Sequence, residues 1–86
     1  MPRISEFYGI TISIYYSDHA PPHFHAYYGG REALIAIDTL RVLRGQIQRR
    51  ALALVREWAA ARQHELQANW KKAEAGLPLD AIAPLD

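Results

Sequence analysis

The chain has 86 residues, half of them hydrophobic, and a net charge of +1 with its histidines neutral. This length allows one modest hydrophobic core, and the near-neutral charge gives the whole molecule no strong attraction to nucleic acid or anionic lipid. Because there is no cysteine, a disulfide framework and a thiolate metal site are both excluded. No apolar stretch approaches the roughly 18 residues that span a membrane, and the start lacks a signal-peptide pattern. We expect one cytoplasmic domain, 1–86, without membrane contact.

The first half of the chain, about 1–45, is predicted to be β-rich. Ile10, Ile12 and Ile14 alternate with polar or aromatic neighbours, which is the period of a half-buried strand. Pro21-Pro22 cannot lie inside a sheet, and Gly29-Gly30 is a strong turn signal. The predicted strands cover 10–16, 23–28, 31–38 and 41–44. Connections this short favour antiparallel neighbours, so the fold class is α+β with a small antiparallel meander of three to four strands.

The second half, about 46–76, is predicted to be one long C-terminal helical segment that is bent or broken. It contains neither glycine nor proline between Gly45 and Gly76, and Trp58 and Trp70 share an apolar stripe at helical spacing. An unbroken helix of this length would measure about 45 Å, whereas a domain of this size is only about 30 Å across. The segment should therefore break between Ala61 and His64 or project toward another subunit. A short tail, 77–86, should dock on the core.

Histidines cluster around the proline pair, and this run concentrates the reactive chemistry of the chain. His23 and His25 project from the same side of a strand, because side chains two positions apart share a face. With His19 they predict a site for a divalent, zinc-like transition metal with an open position, with Asp18 and Tyr27 as supporting groups. Two alternatives stay open: a metal-free acid–base pair, and histidines that only hold the turn by hydrogen bonds.

Two further groups of residues are candidate binding sites. Arginines are concentrated in a stretch poor in acids, which predicts a nucleic-acid or anion-binding patch, although the same residues could simply solvate a strand edge and a helix start. This patch consists of Arg41, Arg44, Arg49 and Arg50. Trp58, Arg62 and Trp70 are a candidate interface for a second copy or a partner protein, since tryptophan and arginine are favoured as interface anchors. The alternative places both tryptophans in the core.

Several segments of the chain resemble the bacterial domain of unknown function 4160 family. These are Ile4-Ser5-Glu6-Phe7-Tyr8-Gly9-Ile10, Asp18-His19, Pro21-Pro22-His23-Phe24-His25, Tyr28-Gly29, Arg50-Ala51-Leu52 with Trp58, Glu65-Leu66, Asn69-Trp70 and Ile82 to Leu85. The resemblance implies small stand-alone bacterial proteins of no established activity, suspected of acting in toxin–antitoxin-like or regulatory gene pairs with a second small protein. It implies no catalytic residue. One departure is Thr39-Leu40, where a glycine-containing turn would be expected.

These features together predict a regulatory or interaction module. It would be a toxin–antitoxin-like component that binds a partner protein, a second copy of itself or nucleic acid. The alternative is a small metal-dependent hydrolase or nuclease that uses His19, His23 and His25. Whether the protein is an enzyme is left open by the sequence, and no cofactor other than the metal is indicated.

Overall fold

The protein folds as a five-stranded antiparallel sheet followed by two helices, as a computed structural model of residues 3–86 describes. The strands lie side by side in chain order. They are β1 (Arg3–Phe7), β2 (Ile10–Ser13), β3 (His23–Tyr28), β4 (Arg31–Ala36) and β5 (Val42–Gly45), and the helices are α1 (Arg49–Ala60) and α2 (Gln63–Glu74). The α+β class is confirmed. Met1 and Pro2 of the predicted domain lie outside the described residues.

The predicted strand number was too low, because β1 is an additional strand. Its buried hydrophobic residues, Ile4 and Phe7, are three positions apart, so the apolar pattern does not show the period of two. A register shift between Arg3 and Ser5 explains the spacing, since a bulge places an extra residue in one strand. A two-residue loop, Tyr8-Gly9, then connects β1 to β2.

The helical half forms two separate helices rather than one long segment, and the break falls in the range, Ala61 to His64, where a break was expected. The break falls at Ala61 and Arg62, whose backbone N–H groups donate to Trp58 and Ala59 at 3.2 and 3.0 Å. These shorter-range bonds end α1 and redirect the chain. The molecule measures 33 × 26 × 23 Å, so an unbroken helix of about 45 Å would not fit within it. Neither helix in residues 3–86 is long and apolar enough to cross a membrane.

One face of the sheet packs on the helices, and the C-terminal tail closes the core at its side. The Trp58 ring of α1 lies 5.2 Å from the Phe7 ring and 6.1 Å from the Phe24 ring. Its Nε1–H donates to the carbonyl of Ala83 at 2.8 Å. The tail also reaches the free side of β1, where the N–H of Ile82 donates to the carbonyl of Ile4 at 2.8 Å. The β1 edge is therefore covered by the chain itself.

Candidate metal centre

The candidate site lies where the β2–β3 loop meets the start of β3. Phe24 and Ala26 of β3 are fully buried in the core. Because side chains alternate along a strand, His23 and His25 project from the opposite side of β3. The loop carries Asp18 back over these two imidazoles, which are themselves only 4% and 9% exposed.

Three potential ligand atoms converge at this point. The Asp18 Oδ2 atom lies 2.9 Å from His23 Nε2 and 3.0 Å from His25 Nε2. One ligand atom from each residue lies within 4.8 Å of the other two. Around an octahedral ion with bonds of about 2.1 Å, adjacent ligand atoms lie about 3.0 Å apart. The two oxygen–nitrogen distances therefore match adjacent positions of such a coordination shell.

The other nitrogen of each imidazole is occupied by a protein acceptor. The Nδ1 atom of His23 lies 2.9 Å from the carbonyl oxygen of Pro21, and that of His25 lies 2.6 Å from Glu32 Oε2. Both acceptors favour the tautomer with its proton on Nδ1, which leaves a lone pair on Nε2. This arrangement, with a carbonyl or carboxylate behind the ring, is the usual support of a metal-binding histidine.

Two arrangements account for the short distances from the Asp18 oxygen to the two nitrogens, 2.9 and 3.0 Å. In one, each Nε2–H donates a hydrogen bond to the carboxylate, and in the other a cation lies among the three atoms. The site can therefore be a charge-assisted hydrogen-bond cluster or a metal centre, and its chemistry as a ligand is two imidazoles and one carboxylate.

Both carboxylates of the site are stabilised in their charged form. Burial raises the pKa of Asp18, but hydrogen bonds from His25 and the His19 backbone, with the charge of His23, outweigh it and leave the pKa below its usual value. The hydrogen bond from His25 lowers the pKa of Glu32 against the opposing effect of burial. At neutral pH, Asp18 is thus an ionised potential ligand and Glu32 an ionised acceptor behind His25.

Aromatic side chains enclose the cluster. The Tyr15 and His25 rings meet edge to face with centroids 4.6 Å apart, and Trp70 of α2 lies beside His23 at 5.2 Å. The hydroxyls of Tyr15 and Tyr27 are 2.5 Å apart. Burial, then this contact with Tyr15, raises the pKa of Tyr27 above its ordinary value, so the phenol remains protonated. Tyr27 is therefore a neutral neighbour of the site rather than an anionic ligand.

A small cavity adjoins Asp18. Its volume is about 20 Å³, and it is lined by Tyr15, Ser17, Asp18, Trp70, Ala73 and Glu74. This volume is enough for about one water molecule. The surroundings of Asp18 can therefore accept a single small ligand, but a bulky substrate would require the aromatic side chains to move.

The structure brings together a different set of potential metal ligands from the one predicted. His23 and His25 are in the cluster, whereas the His19 side chain is exposed and only its backbone N–H contacts Asp18, at 3.0 Å. Asp18 provides the third ligand atom instead of a supporting contact. Glu32 was missed, although the Gly29-Gly30 hairpin places it directly across from Tyr27 and two pairs away from His25, on the same side of the sheet.

The other predicted sites differ in their accessibility. All four residues of the arginine patch, Arg41, Arg44, Arg49 and Arg50, are exposed near β5 and the start of α1. The predicted interface requires a correction, because Trp58 and Trp70 are 1% and 4% exposed and therefore belong to the core. Arg62 contacts Glu65 at 3.1 Å on the surface. A partner could not dock on the two tryptophans without opening the domain.

Comparisons with known proteins support the family resemblance that the sequence segments suggested. No curated protein and no solved structure matches the chain. One family model does match, that of the Domain of unknown function (DUF4160), over residues 9–71. This range includes Asp18, His23, His25 and Glu32, while β1 and the C-terminal tail lie outside it. The chain therefore belongs to the Domain of unknown function (DUF4160) family.

Proposed function

We propose that this protein is a small regulatory interaction module that binds one divalent transition-metal ion through Asp18, His23 and His25. One observation carries the proposal: both Nε2 atoms approach the same carboxylate oxygen, while both Nδ1 atoms face acceptors that keep a proton there. Two imidazoles and a carboxylate suit zinc, iron, cobalt or nickel better than calcium or magnesium, which prefer oxygen ligands.

The ion would act on the conformation of the β2–β3 loop. Asp18 is held in the loop, and the two histidines are fixed on β3, so an ion that binds all three ties the loop to the sheet. The loop also contacts the C-terminal tail, because the Tyr16 hydroxyl donates to the carbonyl of Leu77 at 2.9 Å. Occupancy of the site can thus influence surfaces of the loop and the tail that a partner would contact. The toxin–antitoxin-like setting implied by the family resemblance stays a prediction.

Titration calorimetry of tag-free protein with Zn²⁺ and Co²⁺ tests the metal centre. We expect about one ion per chain, with binding lost in the His23→Ala/His25→Ala double variant and strongly weakened in Asp18→Asn. Glu32→Gln should weaken binding about 10–100-fold, because the carboxylate only orients a ligand. Two matched controls, His19→Ala and His64→Ala, each remove an exposed imidazole and should bind normally.

Circular dichroism of each variant separates loss of ligands from loss of fold. Unchanged metal affinity in the folded double variant would exclude this metal site. If His19→Ala weakened binding as much as Asp18→Asn, the ligand set would be the one expected from sequence alone.

A metal-dependent hydrolase is the second candidate, and one observation favours it. The cavity beside Asp18 has room for about one water, which a bound ion could acidify into a nucleophile. The zinc-loaded protein should then cleave an activated phosphodiester, and the double variant should not. The enclosed site and its small cavity favour the interaction module, for which no turnover is expected.

A further inference from the structure

The two edges of the sheet differ in how they are protected. The β1 edge is covered by the tail through Ile82, which is 4% exposed and donates to Ile4. At the opposite edge, β5 pairs with β4, and across residues 3–86 no other backbone segment pairs with it. Three of the four β5 residues are exposed, including Leu43 at 46%. An open edge offers unpaired N–H and C=O groups to an added strand.

Two arginines lie at this open edge. Arg41 precedes β5 and Arg44 lies within it, whereas Arg49 and Arg50 begin the helix that follows, where Arg50 lines a cavity with Tyr8 and Tyr28 instead of β5. None of the four belongs to an ion pair in the described part of the chain. Between Asp38 and Glu57 the sequence contains no acidic residue at all. The arginines at β5 thus form no direct ion pair within residues 3–86, although the charge of Arg44 contributes to the lowered pKa of Glu32.

A groove continues from the start of β5 toward the candidate metal centre. It has a volume of about 460 Å³. Its lining is formed by Pro21, Pro22, Ala36, Asp38, Thr39, Arg41, Val42 and Leu43. Apolar side chains of an added strand would find contacts there with Leu43, Val42 and the two prolines. When a peptide adds a strand to the edge of a sheet, main-chain hydrogen bonds supply the affinity, and pockets beside the edge supply the specificity.

We infer that β5 is the docking edge for an extended acidic segment of a partner protein, which adds to the sheet as a sixth strand. Charge complementarity selects this occupant, because acidic side chains would face Arg41 and Arg44, which are exposed at this edge. A second copy is disfavoured, since pairing β5 with another β5 would gather Arg41 and Arg44 of both copies, which are like charges, along one edge. The inference rests on the interaction role proposed above and does not require the metal ion.

Peptide binding measured by fluorescence anisotropy tests the inference. The probe is a labelled peptide of about six residues, the length of a typical strand, in which valine and glutamate alternate. We expect saturable binding that weakens with added salt and falls at least about tenfold in the Arg41→Glu/Arg44→Glu variant. Lys71→Glu is the matched control, because it reverses an exposed charge on α2, away from β5.

Two control peptides separate strand addition from ionic attraction alone. N-methylation of alternate amides removes main-chain donors and should abolish binding, and lysine in place of glutamate should do the same. Hydrogen exchange of the wild-type protein supplies a readout that needs no variant. The outward-facing amides of 42–45 should exchange more slowly with the acidic peptide and remain unchanged with the methylated one.

Three results would overturn the inference. One is the absence of β5 protection by the acidic peptide. The second is binding of a single-stranded oligonucleotide, but not of the peptide, with the same arginine dependence. The third is a dimer of the free protein with β5 already protected. Metal binding is measured separately by calorimetry. Peptide binding without metal binding would exclude the metal centre alone, and metal binding without peptide binding would exclude the docking edge alone.

Discussion

The four histidines of the chain occupy two kinds of surroundings. His19 and His64 are exposed, whereas His23 and His25 are buried with an acceptor at each ring nitrogen. The difference comes from neighbouring groups, since Asp18 and Glu32 supply the negative charge that makes two buried imidazoles tolerable. A buried polar group is stable only when it is hydrogen-bonded, so loss of either carboxylate should affect more than one residue.

The first residue-scale prediction concerns Glu32 and acid. Its folded-state pKa is lowered by His25, with smaller effects of Tyr27 and Arg44. A depressed carboxyl pKa contributes stability above its unfolded value, about 4.3, and loses it as the pH falls through the folded pKa. We therefore expect Glu32→Gln to lower the free energy of unfolding at pH 7, and the difference from wild type to shrink below pH ~4.

Urea unfolding at several pH values, with chelator present, measures this effect. Glu74→Gln is the control, because Glu74 is exposed on α2 and has no ion pair in the described residues. A difference between wild type and Glu32→Gln that grew toward low pH would contradict the prediction.

The second residue-scale prediction compares two glycines. Gly45 and Gly30 have similar positive φ angles, 73° and 78°, but a Cβ on Gly45 would lie 2.2 Å from the Glu32 carbonyl oxygen. Nothing lies within 4 Å of a Cβ on Gly30. Gly30→Ala should therefore cost about 1–2 kcal/mol of backbone strain, and Gly45→Ala should cost more because β5 must also separate from β4. Thermal unfolding of both variants tests this, and equal losses would contradict it.

At the scale of elements, two turns hold side chains in a conformation that usually belongs to glycine. Tyr8 has φ 51° in the loop between β1 and β2, and Leu40 has φ 61° before β5. Leu40 stands in the turn where the family resemblance led us to expect glycine, and it packs partly against the core. Packing can offset the strain at Leu40. Tyr8 is 60% exposed, so its strain is less well offset.

The prediction for this element is that Tyr8→Asn stabilises the protein. A two-residue hairpin loop with positive φ at both positions favours Asn-Gly, because asparagine tolerates the left-handed region. We expect a gain of up to about 1 kcal/mol, which corresponds to a rise in Tm of roughly 4–8 °C. Tyr8→Phe keeps the backbone strain and should leave the Tm unchanged. A lower Tm for Tyr8→Asn would contradict the prediction. It would mean that contacts of the tyrosine ring stabilise the protein more than the backbone strain at this position destabilises it.

At the scale of the whole molecule, the tail joins the helices to the first strand. Asn69 is buried at 1% exposure and bonds the backbone of Asp80 twice, accepting its N–H at 2.8 Å and donating to its carbonyl at 2.9 Å. Lys72 also contacts the Asp80 carboxylate. These contacts align the tail so that Ile82 reaches β1. Asn69 is a polar residue within the apolar stripe of α2, and its side chain holds the tail in place through the Asp80 backbone.

The prediction at this scale is that Asn69→Ala loosens the tail and exposes the β1 edge. Loss of two buried hydrogen bonds should cost about 1–3 kcal/mol, because the Asp80 backbone groups lose their partners. Hydrogen exchange should accelerate at Ile82, and the Trp58 fluorescence should shift as its contact with Ala83 weakens. Lys71→Ala, an exposed change on the same helix, is the control. Unchanged exchange at Ile82 would show that other contacts hold the tail.

The local pattern of the sequence determined much of the fold. Alternation identified the strands that contain Ile10, Ile12 and His23 to Tyr28, and the absence of glycine and proline identified the helical half. The meander followed from short connections, which leave few other pairings. β1 escaped prediction because its bulge breaks the alternation on which strand recognition depends. The two helices, rather than one, follow from the size of the core that they must cover.

The site divides in the same way between local and long-range information. Strand geometry alone places His23 and His25 on one side of β3, since the period of two is a property of every strand. The choice of Asp18 over His19 depends on the path of the β2–β3 loop, and the contact of Glu32 with His25 depends on the register of β3 and β4. The burial of Trp58 and Trp70, and the open edge of β5, likewise depend on which surfaces meet. These features required the tertiary structure, because hydrogen bonding, burial and charge at each residue are decided by neighbours that sequence spacing does not specify.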